Sequence, residues 1–218
     1  RLCRLTSFFW SPALSLRPPR FVGDPSLHSS RFQRVVLAAP ATEMWWWHVW
    51  KADSSDRRAV LRPLLTRVIP DVPEPQPTRI TLLLRTGSSD RRILNVPELT
   101  DALHTPATAH GLQVAATDLS TLGMRGQLRA IRSTAALIGV HGAALVWNLF
   151  LPTGSPLIEL LNMRNANQYY ANHCRWTARP YAAWQNTNAS AEVSARDANG
   201  ATLDPFRNDM RVDAAAVA

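Results

Sequence analysis

Lysine is almost absent from the 218-residue chain: Lys51 stands alone among 24 basic residues, and the other basic residues are arginines spread over its whole length. The formal charge of +8 would suit nucleic acid, but a phosphate-tracking surface needs its cations clustered on one face. The dispersed arginines therefore argue for no nucleic-acid partner, with a salt-dependent nucleic-acid binder kept as an alternative. Two cysteines, Cys3 and Cys174, are too few for a disulfide framework, and no Cys/His spacing suits structural zinc. No run approaches the ~20 apolar residues of a membrane span. G-x-G-x-x-G, the dinucleotide fingerprint, is missing, and so are the G-x-S-x-G nucleophile elbow and any D-x-D metal pair.

What is present suits a folded chain of one or two domains, with 46% hydrophobic and 18% charged residues. Residues 1–30, with Pro12, Pro18, Pro19 and Pro25, hold no sustained period and read as an irregular lead-in. The opening lacks Met, and Pro12 breaks its short apolar run. It is therefore not read as a signal peptide, and the chain is expected to begin inside a longer protein. Val35–Ala38 reads as a short strand, and "MWWWHV" after it as core, interface or a sugar-stacking wall. Ser55 or Asp56 then caps a helix carrying Val60, Leu61, Leu64, Leu65 and Val68, and "DVPEPQPT" is a proline-rich connector.

From residue 76 the pattern alternates. "RITLLLR", "LQVAATD", "AALIGV" and "PLIEL" read as strands, and "ILNVPELTDALHTPA", "GMRGQLRAIRST" and "AALVWNLF" as the intervening helices. Strict alternation predicts an α/β fold: a Rossmann-like parallel sheet with helices on both faces. In such sheets ligands bind at the carboxyl ends of the strands, here at "RTGSSDR", "VHGAA" and "ELLNMRN".

At the middle joint, Gly139 and Gly142 permit close backbone approach, and the amides of Gly142 and Ala143 can receive an anion beside His141. The plainer alternative is that His141 caps the turn and Gly142 fits a bend. Arg85 and Arg91 can grip a diphosphate in bidentate fashion, or be solvated surface groups. Glu159 ends "PLIE", where a carboxylate can bond ribose hydroxyls or form a structural ion pair. Asn188 in "NAS" is a possible N-glycosylation acceptor.

The segments "LLLRTGSSDRRILNVPEL", "LGMRGQLRAIRSTAALIGVHGAALVWNLFLPTGSPLIEL" and "YAAWQNTN" together resemble the C-terminal part of family-61 glycosyltransferases, from about Arg31 to "DPFRNDMRVDAAAV". The resemblance implies a GT-B architecture of two facing Rossmann-like halves. It makes 31–75 the remnant of an N-terminal half and a linker, 76–187 the nucleotide-sugar domain and 188–218 a C-terminal tail. It implies inverting transfer of a sugar, N-acetylglucosamine, from a UDP-sugar to a protein or glycan hydroxyl, in the endoplasmic reticulum or Golgi lumen. Arg85, Arg91, His141, Gly142 and Ala143 would hold the diphosphate without a metal or other cofactor. Asn95 and Glu98 match the family's R-x-x-x-N-x-x-E run and would brace the loop, and Leu145, Phe150 and Pro152 match packing positions. Gln127 is a supporting position, but Gly126 stands where the family tends to have an acid before it, Ala144 where a second glycine is frequent, and Thr86 where a second arginine is. With most of the N-terminal half missing, the isolated chain is expected to bind UDP without transferring sugar. A catalytically inactive nucleotide-binding module is the alternative function.

Overall fold

The computed structural model describes residues 76–87 and 90–218. The lead-in, the Val35–Ala38 strand, the tryptophan patch, the capped helix after it and the proline connector lie outside the described residues. Among the described residues no helix is long and apolar enough to cross a membrane.

Five strands, β1 (Arg79–Leu83), β2 (Gln113–Thr117), β3 (Thr134–Val140), β4 (Leu157–Leu161) and β5 (Tyr181–Gln185), form one sheet in the order β2-β1-β3-β4-β5. Every pairing is parallel, with Leu82 opposite Ile138, Ile138 opposite Ile158 and Ile158 opposite Ala182. The three inner strands are predominantly apolar because both faces are covered: Leu82, Leu137, Leu157 and Leu160 are wholly buried, with Thr81, Thr134 and Glu159 as buried polar exceptions. The edges β2 and β5 are partly exposed, and "YAAWQ" carries no aliphatic or β-branched run that would mark it as a strand. The expected α/β sheet is thus present, with β5 as an additional edge strand.

Side-chain alternation divides the sheet into two faces. Ile80, Leu82, Ile138, Val140 and Leu160 pack with Leu99, Leu103 and Ala107 of α1 (Val96–Ala109) and with Met210 and Val212. Pro97 in the first turn suits α1, since its missing N–H would be unpaired there in any case, and Gly111 at φ 65° turns the chain out of it. The opposite face carries Thr81, Leu83, Leu137, Gly139 and Glu159. Gly139 admits the Leu145 and Leu83 side chains so closely that an added Cβ would sit 3.1 Å from each.

Helices α2 (Met124–Arg132) and α3 (Tyr169–Trp176) flank the segment after β3. That segment, Ala143–Phe150, is a 3-10 helix and not the α-helix its apolar spacing suggests. The side-chain amide of Asn148 donates to the Leu145 carbonyl at 2.5 Å, which competes for the acceptor an α-helix would offer to residue 149. The Leu145 N–H bonds the Gly142 carbonyl three residues back.

Residues 188–218 are stitched onto the sheet and α1. β6 (Glu192–Val193) pairs antiparallel with β7 (Asp209–Met210), and the Met210 backbone bonds the Arg92 carbonyl and the Leu94 N–H at 2.9 Å each. Asp209 accepts from the Arg92 amide and guanidinium, and Asn95 clasps both the N–H and the carbonyl of Val212. The short α4 (Ala214–Val217) then packs against α1. Met210 is wholly buried at the centre of the α1 face. Met210→Ala is expected to cost about 2–5 kcal/mol of unfolding free energy, through lost burial and the cavity left behind, as read by urea denaturation.

Candidate functional site

In the order β2-β1-β3-β4-β5 the chain leaves β1 toward one edge of the sheet and resumes at β3 on its other side, so a crevice opens between the carboxyl ends of these two strands. From β1 the crevice receives Arg85. From β3 it receives His141 and Gly142.

Asp90 organises the basic groups. Its side chain, 2% exposed, accepts from Arg85 Nη2 at 3.0 Å and from Arg207 Nε at 2.5 Å, with Arg91 Nε 3.5 Å away. Arg85 Nε also donates to the Asp90 carbonyl at 3.2 Å. One carboxylate thus serves three guanidiniums among the described residues. Burial, and after it repulsion from Arg85, lowers the pKa of Arg91. Arg91 adopts the left-handed φ of 54°, uncommon for a residue with a Cβ, and its guanidinium carbon lies 5.7 Å from the centroid of the Phe206 ring.

The β3 side of the crevice is held from below. Arg91 Nη1 donates to the His141 carbonyl at 3.2 Å, the His141 N–H to the Leu160 carbonyl at 3.0 Å, and Tyr170 Oη to the Gly142 carbonyl at 2.5 Å. Burial, reinforced by Tyr169 and Glu159, raises the Tyr170 pKa, so it stays a phenol and a donor. Gly142 is needed for close approach: a Cβ at this position would lie 2.6 Å from Arg85 Nη1. The amides of Ala143 and Ala144 precede the first hydrogen bond of the 3-10 helix, from the Leu145 N–H to the Gly142 carbonyl, at the β3 joint.

His141 Nδ1 meets Glu159 Oε1, and Tyr181 Oη donates to Glu159 Oε2 at 2.8 Å. Burial and the Glu159 carboxylate raise the Tyr181 pKa. Glu159 is wholly buried, with each oxygen engaged, so it sits beneath His141 and not at an exposed ribose position. Strand alternation turns it to the covered face.

Arg85, Arg91, His141, Gly142 and Ala143 converge as a group. Asn95 and Glu98 do not join them: Asn95 holds Val212, and Glu98 receives Arg211 Nη2 at 2.6 Å, so the pair braces the C-terminal segment instead of the loop. Gln127 donates to the Leu122 carbonyl at 2.9 Å at the start of α2. Asn188 is exposed and caps the Ala189–Ala191 turn by accepting the Ser190 N–H. Thr86 donates its N–H to Asp118 at the end of β2 at 2.7 Å. Burial opposes ionisation of Asp118, but hydrogen bonds from Ser120 and Thr86 outweigh it and hold the carboxyl well below the usual range. Sequence reasoning missed Asp90, Arg207, Tyr170, Tyr181 and Asp118. Only Asp90 carried a local signal, as the acid in "SSDRR".

The family model for glycosyltransferase 61 matches residues 21–158, more than half of the chain and inclusive of Arg85, Asp90, Arg91, His141 and Gly142. The chain belongs to glycosyltransferase family 61. Among curated relatives, this family-61 chain is 36% identical over 110 residues to the EGF domain-specific O-linked N-acetylglucosamine transferase of Canis lupus familiaris, covering 50% of this chain and 20% of the relative. The protein of that name in Gallus gallus is 35% identical over 112 residues, again 50% of this chain and 20% of the relative. Beta-1,2-xylosyltransferase of Arabidopsis thaliana is 26% identical over 116 residues, 50% of this chain and 22% of the relative. The chain therefore spans about a fifth of the length of these relatives.

Two outcomes follow from this geometry. In Gly142→Ala the new methyl displaces the end of a flexible side chain, so the fold persists. Binding of inorganic pyrophosphate, measured by calorimetry, should weaken by roughly tenfold as Arg85 is pushed from its place. Second, burial pushes the His173 imidazole, packed against Tyr169, Tyr170 and Asn148, down to about 4. A depressed folded pKa stabilises the fold above the ordinary histidine value of 6.5 and loses that contribution as pH falls toward 4. Urea denaturation should show a loss on the order of 3 kcal/mol across that window, flattened in His173→Gln.

Proposed function

We propose that the chain forms the nucleotide-sugar-binding half of a two-lobed GT-B glycosyltransferase, with residues 76–187 as its donor domain. It transfers N-acetylglucosamine from UDP-N-acetylglucosamine, with inversion, to a hydroxyl of a protein or glycan in the lumen of the endoplasmic reticulum or Golgi. The observation that carries this is the convergence of the Arg85 and Arg91 guanidiniums on the Gly142 backbone, at the joint where an open parallel sheet receives ligands. A sugar nucleotide leaves a diphosphate behind. Fixed positive charge and opening amides at that place favour the transition state in which the charge develops. In this reading the arginines, His141 and the amides of Gly142 and Ala143 neutralise the diphosphate without a metal. The choice of sugar leans on the name of the Canis lupus familiaris and Gallus gallus relatives, and a xylosyl donor is the variant the Arabidopsis thaliana relative suggests.

Calorimetric titration with UDP tests donor binding. Arg85→Lys should weaken UDP nearly as much as Arg85→Ala, by about tenfold or more, because an ammonium cannot hold Asp90 through two planar nitrogens while also facing the Gly142 joint. Wild-type affinity in the lysine variant would remove the planar-recognition argument. Transfer is tested with UDP-N-acetylglucosamine and a folded EGF-like domain or, separately, an O-mannosyl peptide, read by the mass of the product. UDP binding without transfer is the result expected of the chain alone, weak or absent UDP binding identifies a catalytically inactive module, and salt-steep binding to duplex or single strand in place of UDP overturns the donor reading.

A further inference from the structure

We infer that Glu159 and Tyr181 are positioning residues of the anion site, holding the His141 ring by its Nδ1 edge so that Nε2 is presented to a diphosphate oxygen. This rests on the donor reading of His141 given above.

A carboxylate in the middle of a parallel sheet is costly unless its oxygens are engaged. Glu159 is wholly buried in β4, and the sheet register places it between Gly139 of β3 and Ala183 of β5, the two neighbours with least side-chain bulk. Room is left there for the carboxylate to reach two donors. One is His141, two residues beyond Gly139. The other is Tyr181, two residues before Ala183, the diagonal neighbour on the same face. A group whose role was packing alone would be served by an apolar residue of similar size.

The His141 ring is fixed on two sides. Nδ1 is committed to Glu159, and Tyr170 stands against the ring edge-on at 5.3 Å between centroids. The side chain keeps 13% of its surface accessible, and Nε2, on the opposite edge from Nδ1, is its one polar atom without a protein partner among the described residues. A carboxylate at Nδ1 selects the tautomer and the orientation of a histidine that acts through Nε2. With a diphosphate bound, the ring lies between two anions, and imidazolium is the form that donates to both. Among the described residues, the other charged or titratable groups facing it are Tyr170 from α3, and Arg91 and Arg85 from the loop after β1. Arg91 grips the His141 carbonyl, not its ring.

The experiment combines ring-nitrogen NMR of the whole chain at neutral pH with calorimetric titration of UDP. Free wild type should show a proton on Nδ1 of His141, and saturation with UDP should show both ring nitrogens protonated. Glu159→Gln keeps the shape and removes the charge. It should remain folded by circular dichroism, lose the Nδ1 signature and bind UDP roughly tenfold more weakly. Tyr181→Phe, a milder change, should weaken UDP a few-fold and rescues the test should Glu159→Gln fail to fold. In a His141→Ala background, Glu159→Gln should cost no further affinity, since it acts through the ring. Wild-type affinity in a folded Glu159→Gln or Tyr181→Phe variant, an undiminished penalty in the His141→Ala background, or an unprotonated Nδ1 in free wild type would each overturn the assignment. Absence of UDP binding by wild type would instead fail the donor reading, and the NMR signature of the free protein reports the Glu159–His141 pair independently of it.

Discussion

The buried carboxylate of Asp90 is the constraint on which the crevice depends. It draws Arg85 from the end of β1, Arg91 from the loop and Arg207 from far along the chain onto a single acceptor. A desolvated carboxylate holds guanidiniums far more firmly than an exposed one, where such pairs contribute ~1 kcal/mol or less. Arg85 meets the Gly142 backbone while its guanidinium is held by Asp90, so one carboxylate fixes the β1 side of the crevice against the β3 side.

A second tier supports the first from within the sheet. Glu159, Tyr170 and Tyr181 reach His141 and Gly142 from β4, α3 and β5, so the β3 joint is set by side chains that do not themselves line the opening. The family match ends at residue 158, one position before this tier begins. Gly142 connects the tiers, its carbonyl tied to Tyr170 below and its missing Cβ occupied by Arg85 above.

Much of this was legible in the residues, and the exceptions have physical causes. Strands β1, β3 and β4 declare themselves because both faces are buried and most of their residues are apolar. β5 does not, since an edge strand with two exposed alanines needs no such run. Ala143–Phe150 shows helical spacing, but the preference for a 3-10 helix comes from the Asn148 side chain taking the Leu145 carbonyl, a competition that periodicity cannot express. Arg85, Arg91, His141 and Gly142 stand out in the sequence because joints after parallel strands are where ligands bind, and the structure brings them together. Glu159 was placed at that edge too, although alternation from wholly buried Leu157 turns it inward. Arg207, Tyr170 and Tyr181 left no local trace, because each meets its partner only after the sheet has formed.

The stitching of the C-terminal segment bears on the order in which the protein can come into being. Asp90 and Arg207 are 117 residues apart, and so are Arg92 and Asp209, and Asn95 and Val212. A ribosome releases the β1 loop, the glycine joint and the whole parallel sheet before the residues that tie them down. The nascent chain therefore passes through a stage in which Asp90 has two of its three guanidiniums and the α1 face of the core has no Met210 over it. During that interval the loop after β1 lacks its bonds to Arg207 and Met210, and the crevice acquires its final shape only when β7 has joined it.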